Sequence, residues 1–439
     1  MITSIFIVFA LACMLPAILM VPHTAMFVWC WVSYMNPHRN TWSFAATLPL
    51  LDVVAGFTFV AWLTSKERKL PPLHPIGVVM FVFFLWTCIT TLFAVNDEAA
   101  AVEISRFSKV ILFTFFTMIF ITTERRIKYF IYVILLSLTL YSFKGGLFTI
   151  LNGGRYIVYG PPQSFLADNN QLALAFLTVC PLFYWVFKHG ENKVVRLSAA
   201  IAGCLTLIAA IGSQSRGALV ALVAMCGWIL FISRRFMLGL VVGGAVIGGA
   251  LLFMPDSWQE RMSTISNYEE DTSASTRLKM WRYSMNVANS SPVIGGGFRF
   301  FFDKDLAKQY MPSNDRIFVA HSIYFDTLGE HGYVGLFLYL LLLSCGFITT
   351  MDTRRMTKGH EDFAWAHDLA QMLQFSLVGF GVGGAFLSLA TFDLYYHVLA
   401  LSMMVNYVVG KQLSPDREVF ALPGQSKQRR SEGAALPAE

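Results

Sequence analysis

The 439-residue chain is 56% hydrophobic and 15% aromatic but only 14% charged, with a mean hydropathy of +0.56 and a formal net charge of +6. A soluble domain carries about a quarter charged residues, so this composition excludes an ordinary soluble protein and points to one helical membrane domain. The basic residues sit in short segments between apolar runs, which excludes a nucleic-acid surface.

Apolar runs occur near residues 2–20, 22–35, 46–64, 76–95, 107–121, 127–151, 170–187, 196–212, 217–232, 236–254, 333–351, 370–390 and 393–410. Each long run predicts a helix crossing the hydrocarbon core, where backbone amides must be bonded within the segment. The first run lacks a basic flank and an evident cleavage site, and reads as a retained membrane segment. The second is short and opens Val21-Pro22-His23, so residues 1–35 are expected to make one effective crossing. All seven cysteines lie inside apolar stretches without CxxC spacing, an arrangement that favours neither disulfides nor a cysteine metal site.

Lysine and arginine counts orient the chain. Nineteen fall in one set of loops with the C-terminal tail, among them Lys66, Arg125, Lys188, Arg234 and Arg354, whereas the alternating loops hold only Arg39, Arg106, Arg155 and Arg216. The first set is expected to be cytoplasmic. The expectation is an all-α integral membrane protein of about 12 transmembrane helices with both termini inside. N-terminal transmembrane helices occupy residues 1–254, a large periplasmic loop with amphipathic helices 255–332, C-terminal transmembrane helices 333–411 and a disordered cytoplasmic tail 412–439. Long loops commonly carry function. This one holds eight Lys or Arg against ten Asp or Glu, so a basic residue that matters there acts by position.

Within the loop, Ser273-Ala-Ser275-Thr276-Arg277 precedes an apolar pattern at Leu278, Trp281, Met285 and Ala288, spaced for one face of an amphipathic helix. Arg277 in the first turn suits an anion site beside free helix amides; an ordinary surface arginine fits as well. Ser291-Pro292-Val293-Ile294-Gly295-Gly296-Gly297-Phe298 lacks the Lys of a Walker loop and reads as a turn. His321 begins an expected helix leading to the next crossing. It is placed either to take a proton from a hydroxyl or to cap and pack. Glu330, nine residues on, is a supporting candidate that could orient a partner or pair with an arginine, and Arg282 is a second. Arg216, in Ser213-Gln214-Ser215-Arg216-Gly217 at the outer end of a membrane helix, is costly there unless paired or facing an anion. Arg155, in a polar glycine-rich outer loop, is a weaker candidate of the same kind, and Lys144 suits snorkelling. An outer-face arginine cluster, a candidate base and lipid-facing walls suit a site for a lipid diphosphate without naming the reaction.

The chain resembles the O-antigen ligase family of bacterial membrane glycosyltransferases, with the O-glycosylation ligases associated with exosortase systems as the subgroup it is most similar to. The resemblance rests on Ser33-Tyr34-Met35-Asn36-Pro37-His38-Arg39, Ser215-Arg216-Gly217, Thr276-Arg277…Trp281, Pro292…Gly297-Phe298 and His321-Ser322…Glu330-His331-Gly332…Gly335. It implies a GT-C-like fold in the bacterial inner membrane. It also implies metal-independent, inverting transfer of a glycan from undecaprenyl diphosphate to an acceptor hydroxyl at the periplasmic face, as in lipopolysaccharide biosynthesis. A lipid A-core sugar is the leading acceptor, with no cofactor. His321 then carries over as the base and Arg216 and Arg277 as diphosphate ligands; Arg155 is added from its position alone. A Wzy-type polymerase, a protein O-glycosylation ligase and, from another class, a transporter or flippase are the competing readings. A transporter predicts mid-membrane polar breaks and repeats, which the sequence lacks.

Overall fold

In lipid an apolar run satisfies its peptide groups only by coiling on itself, and every regular element among the described residues is a helix. The computed structural model describes residues 1–41, 44–65, 70–162, 164–232, 272–312 and 316–414, with scattered positions between 244 and 259. The helices are α1 (Ile2–Met20), α2 (Thr24–Met35), α3 (Leu50–Thr64), α4 (Pro75–Leu92), α5 (Asp97–Phe120), α6 (Glu124–Leu151) and α7 (Asn169–His189). They continue with α8 (Lys193–Gly212), α9 (Arg216–Ile232), α10 (Thr272–Ser290), α11 (Lys304–Tyr310), α12 (Ile323–Met356), α13 (Ala364–Gly384) and α14 (Asp393–Leu413). Six of these, α1, α4, α6, α7, α8 and α12, are long and apolar enough to cross a membrane, and α3 and α9 are shorter apolar helices. The chain is a multi-pass membrane bundle.

Twelve of the thirteen apolar runs contain a helix; the run at 236–254 lies almost wholly outside the described residues, as do residues 260–271 of the large loop and 415–439 of the tail. Side-chain caps fix several helix starts where the chain leaves the bundle. Asn96 accepts from Ala99 N at 3.2 Å, Asp168 from Asn170 N at 2.9 Å and Asn192 from Val195 N at 3.0 Å. Helix α2, only 12 residues long, packs inside the bundle through Met26, Trp29, Cys30 and Tyr34. Helices α7, α13 and α14 are buried along most of their lengths and form its centre.

At one end of the bundle Asp368 gathers Lys188 Nζ at 2.7 Å and His189 Nε2 at 2.6 Å, and Arg354 Nη1 donates to Gln374 Oε1 at 3.1 Å. These residues come from, or pack against, the segments whose lysines and arginines oriented the chain. The opposite end carries Arg39, Arg216, Arg299 and His321.

Three elements depart from the sequence reading. Helix α5 starts at Asp97, ten residues before its apolar run, because Asn96 caps it and Asp97 and Glu98 fill its first turn. Helix α12 starts at Ile323 and carries a break at Gly332, with φ 68° and ψ −171°, before its apolar part. Helix α10 buries Met280, Tyr283, Ser284, Val287 and Ala288, while Leu278 and Met285 of the expected face are exposed. That rotation follows from Trp281, whose indole N–H donates to Ala320 O at 2.9 Å and whose ring stacks on Phe325 at 4.8 Å.

Candidate functional site

The break in α12 is built by the three-glycine segment. Gly296 N donates to Gly329 O at 2.8 Å, Gly297 N to Glu330 O at 2.9 Å and Tyr333 N to Pro292 O at 2.8 Å. The segment read from sequence as a simple turn therefore docks across the helix break. Gly295 adopts φ +67°, and a Cβ there would lie 2.6 Å from Gly329 O. Only glycine combines that conformation with that approach.

The clamp aims Arg299 and Glu330 into the bundle. Arg299, itself at φ 61°, donates its backbone N–H to Glu330 Oε1 at 3.0 Å. Its guanidinium donates through Nε at 3.1 Å and Nη2 at 2.9 Å to one oxygen, Oε2, of the buried Glu103. The other oxygen of Glu103 accepts from Thr391 Oγ1 at 3.4 Å and lies 3.6 Å from Arg106 Nη1. The Arg106 guanidinium in turn sits over the Phe165 ring at 3.9 Å, and Phe165 stacks on Phe392 at 5.3 Å. Glu330 thus meets an arginine, as one of its expected roles had it, but through that arginine's backbone.

These groups line a cavity of about 990 Å³ between α2, the start of α3, α5, the tops of α12 and α14, and the 164–171 and 298–301 segments. Ser33, Asn36, His38 and Arg39 of the quoted N-terminal motif also face it. Ser33 Oγ donates to Asp393, and Lys109 pairs with Asp52.

His321 borders this cavity without lining it. It stands just before α12 in the left-handed region, φ 50°, where a histidine must be held by its surroundings. Its backbone N–H donates to Ser388 Oγ at 3.1 Å, Ser388 bonds to the Asp326 carboxylate, and Asp326 Oδ1 accepts from Ala320 N at 3.2 Å. Ser388 and Asp326 are both cavity-lining. Burial pushes the His321 imidazole below its ordinary value; Arg277 pushes the same way, and Asp168 opposes. The ring is neutral at neutral pH and can accept a proton. Arg277 and Trp281 are four residues apart on one face of α10, and Trp281 is tied to the residue before His321.

Arg216 opens α9 at the same end of the bundle. Gly217 packs against Phe386, two residues before the Ser388 that holds His321. The structure therefore brings Arg277 within electrostatic reach of His321 and sets the start of α9 against Phe386, two residues from the Ser388 that holds the His321 turn. Arg155 is exposed one residue beyond Gly154, whose carbonyl accepts from Gln214 Nε2 at 3.0 Å. Arg282 is exposed on a different side of α10, since five residues turn the helix about 140° past Arg277.

Sequence reasoning did not single out Glu103, Lys109, Arg299, Asp326, Ser388 or Asp393 as site residues; it took Arg106 only as a loop charge, and Arg39 as a loop charge and as the last residue of the quoted N-terminal motif. One signal was present. Glu103, Arg106 and Lys109 recur at three-residue spacing on α5, a charged stripe on an otherwise apolar element. The 384–392 segment carries no such mark.

A family model described as O-antigen ligase matches residues 201–340, a span that contains Arg216, Arg277, the three-glycine clamp, His321 and Glu330. It supports assignment of the chain to the O-antigen ligase family. A second, described as a family of unknown function, matches residues 2–191. No curated protein matches the chain.

Proposed function

From an O-antigen ligase domain at residues 201–340 as the premise, we propose that this protein transfers a glycan from undecaprenyl diphosphate to an acceptor hydroxyl, a lipid A-core sugar first among them, at the periplasmic face of the inner membrane. In this reading the bundle is a GT-C-like fold crossing about 12 times, and the end that carries His321 is periplasmic.

The observation that carries the reading is the His321 turn. The backbone of the turn is fixed by Ser388, Asp326 and Trp281, and the neutral imidazole it carries lies within electrostatic reach of Arg277, beside a cavity large enough for a substrate. The imidazole takes the proton of the acceptor hydroxyl as that oxygen attacks the anomeric carbon. The bond to the diphosphate oxygen breaks, and Arg216 and Arg277 neutralise the charge growing on the departing lipid diphosphate. Arg155 adds a further cation at the rim, and Glu330 supports through Arg299. Arg282, turned away on α10, is left out. A single displacement inverts the anomeric centre. The lipid diphosphate is already a good leaving group, so the proton transfer and the arginines suffice without a metal.

The test is reconstitution of wild type and His321→Ala in nanodiscs with one undecaprenyl-diphosphate-linked glycan and three acceptors: lipid A core, a glycan-bearing lipid and a protein. His321→Ala is expected to keep donor binding and lower transfer by about 10²–10⁴-fold. Undiminished transfer removes His321 from the mechanism. The wild-type product separates ligase from polymerase and from protein glycosylation.

A further inference from the structure

We propose that the cavity between α2, α5 and the tops of α12 and α14 is a saccharide-binding site, separate from the locus where Arg216 and Arg277 take the lipid diphosphate. The proposal deepens the transferase reading and rests on it for the identity of the neighbouring locus. Its argument is the chemistry of the wall.

The cavity, about 990 Å³, is at the upper end of the range for small-molecule sites. Its wall carries four basic side chains, Arg39, Arg106, Lys109 and Arg299, against five carboxylates, Asp52, Glu103, Asp326, Glu330 and Asp393. Three of the bases already meet carboxylates: Lys109 on Asp52, Arg299 on Glu103 at 2.9 Å and Arg106 near Glu103 at 3.6 Å. A diphosphate would have to displace Asp52 and Glu103 from the cations they already neutralise, which disfavours it. The rest of the polar lining is hydroxyl and amide, including Ser33, Asn36, Ser105, Gln171, Ser388 and Thr391, together with the His38 imidazole. Such a wall offers hydrogen-bond acceptors and donors in alternation without net attraction for an anion. That pattern matches a ligand rich in hydroxyl groups, each of which donates and accepts.

The wall is preformed. Arg106, Phe165 and Phe392 stack in succession at 3.9 and 5.3 Å, and Glu103 ties α5 to the three-glycine clamp through Arg299. The cavity also reaches the reacting end. Ser388 lines it and accepts the His321 backbone N–H at 3.1 Å, so a sugar seated there sits one residue from the candidate base. The sugar could belong to the donor or to the acceptor; the recognition chemistry is the same.

The experiment fills the cavity from exposed wall positions. Ala101 and Ser105 face it from α5, and neither side chain is engaged in a hydrogen bond among the described residues. Full-length wild type, Ala101→Trp and Ser105→Trp in detergent are titrated with three probes: bare undecaprenyl diphosphate, undecaprenyl diphosphate carrying an oligosaccharide, and delipidated lipid A-core oligosaccharide. At least one oligosaccharide probe is expected to lose about tenfold or more in affinity, with bare undecaprenyl diphosphate within about twofold of wild type. The probe that loses affinity identifies donor or acceptor as the source. Equal losses for the bare lipid place the diphosphate in the cavity and overturn the proposal. Unchanged oligosaccharide affinity in both folded variants overturns it as well. The transferase reading fails separately, on loss of its own signal: no transfer by wild type, with core oligosaccharide binding still measurable.

Discussion

Glu103 is the joint between α5 and the three-glycine clamp, and its removal should cost stability by an amount that can be worked from geometry. Two guanidinium N–H groups of Arg299 reach one carboxylate oxygen at 3.1 and 2.9 Å. A hydrogen bond to a charged partner contributes roughly 1.5–3 kcal/mol. Both land on the same oxygen, so the pair lacks the parallel two-oxygen geometry of the strongest arginine–carboxylate contacts. The Arg299 side chain is also 38% exposed, whereas that of Glu103 is 10% exposed, so water competes for one partner only. Discounting toward the value of exposed pairs leaves a coupling of about 1–2 kcal/mol. Glu103→Gln should cost more than the coupling, about 2–3 kcal/mol, because it leaves Arg299 and Arg106 facing each other without their shared counter-charge. Arg299→Gln removes one of those cations, so the double variant should be less destabilised than the sum of the singles. The assay is a double-mutant cycle in detergent, read by thermal exposure of the buried cysteines to a thiol dye; all seven cysteines are free, and Cys30 is fully buried. Additive effects, with coupling below about 0.5 kcal/mol, would refute the claim that Glu103 joins the two elements.

Two further outcomes follow from the same site. His321 is active as a base when neutral, and its imidazole is held below its ordinary value by burial and by Arg277; the acid limb of kcat/KM should therefore lie below about pH 6.5. Arg277→Gln removes a charge that opposes protonation, so that limb should move to higher pH, and a limb that stays fixed or moves down contradicts the placement of Arg277. Gly295→Ala puts a methyl group 2.6 Å from Gly329 O in a left-handed backbone; it should cost more than the roughly 1–2 kcal/mol of the conformation alone, measured as lost thermal stability beside Gly244→Ala, where a Cβ meets nothing.

What the sequence by itself determined is the membrane bundle, with most of its basic residues gathered in one set of segments. Apolar runs must coil because lipid offers no hydrogen bonds, and Lys188, Arg354 and their fellows mark one end because charge is read locally. Arg277 and His321 were legible too, as polar residues beside helix starts in a long loop, and the structure brings them within electrostatic reach of each other. Only the tertiary structure decided what surrounds them. Glu103, Arg299 and Thr391 are separated by 196 and 288 residues from Glu103 outward, yet converge on one carboxylate. The three glycines read as a turn because their partners, Gly329 and Glu330, lie beyond an intervening short helix. Ser388 sits in an unremarkable stretch and becomes important only because it holds the His321 turn. Periodicity and charge report what a segment does against lipid or water. Which segment meets which is set by packing across the whole chain, and the cavity next to His321 exists only at that level.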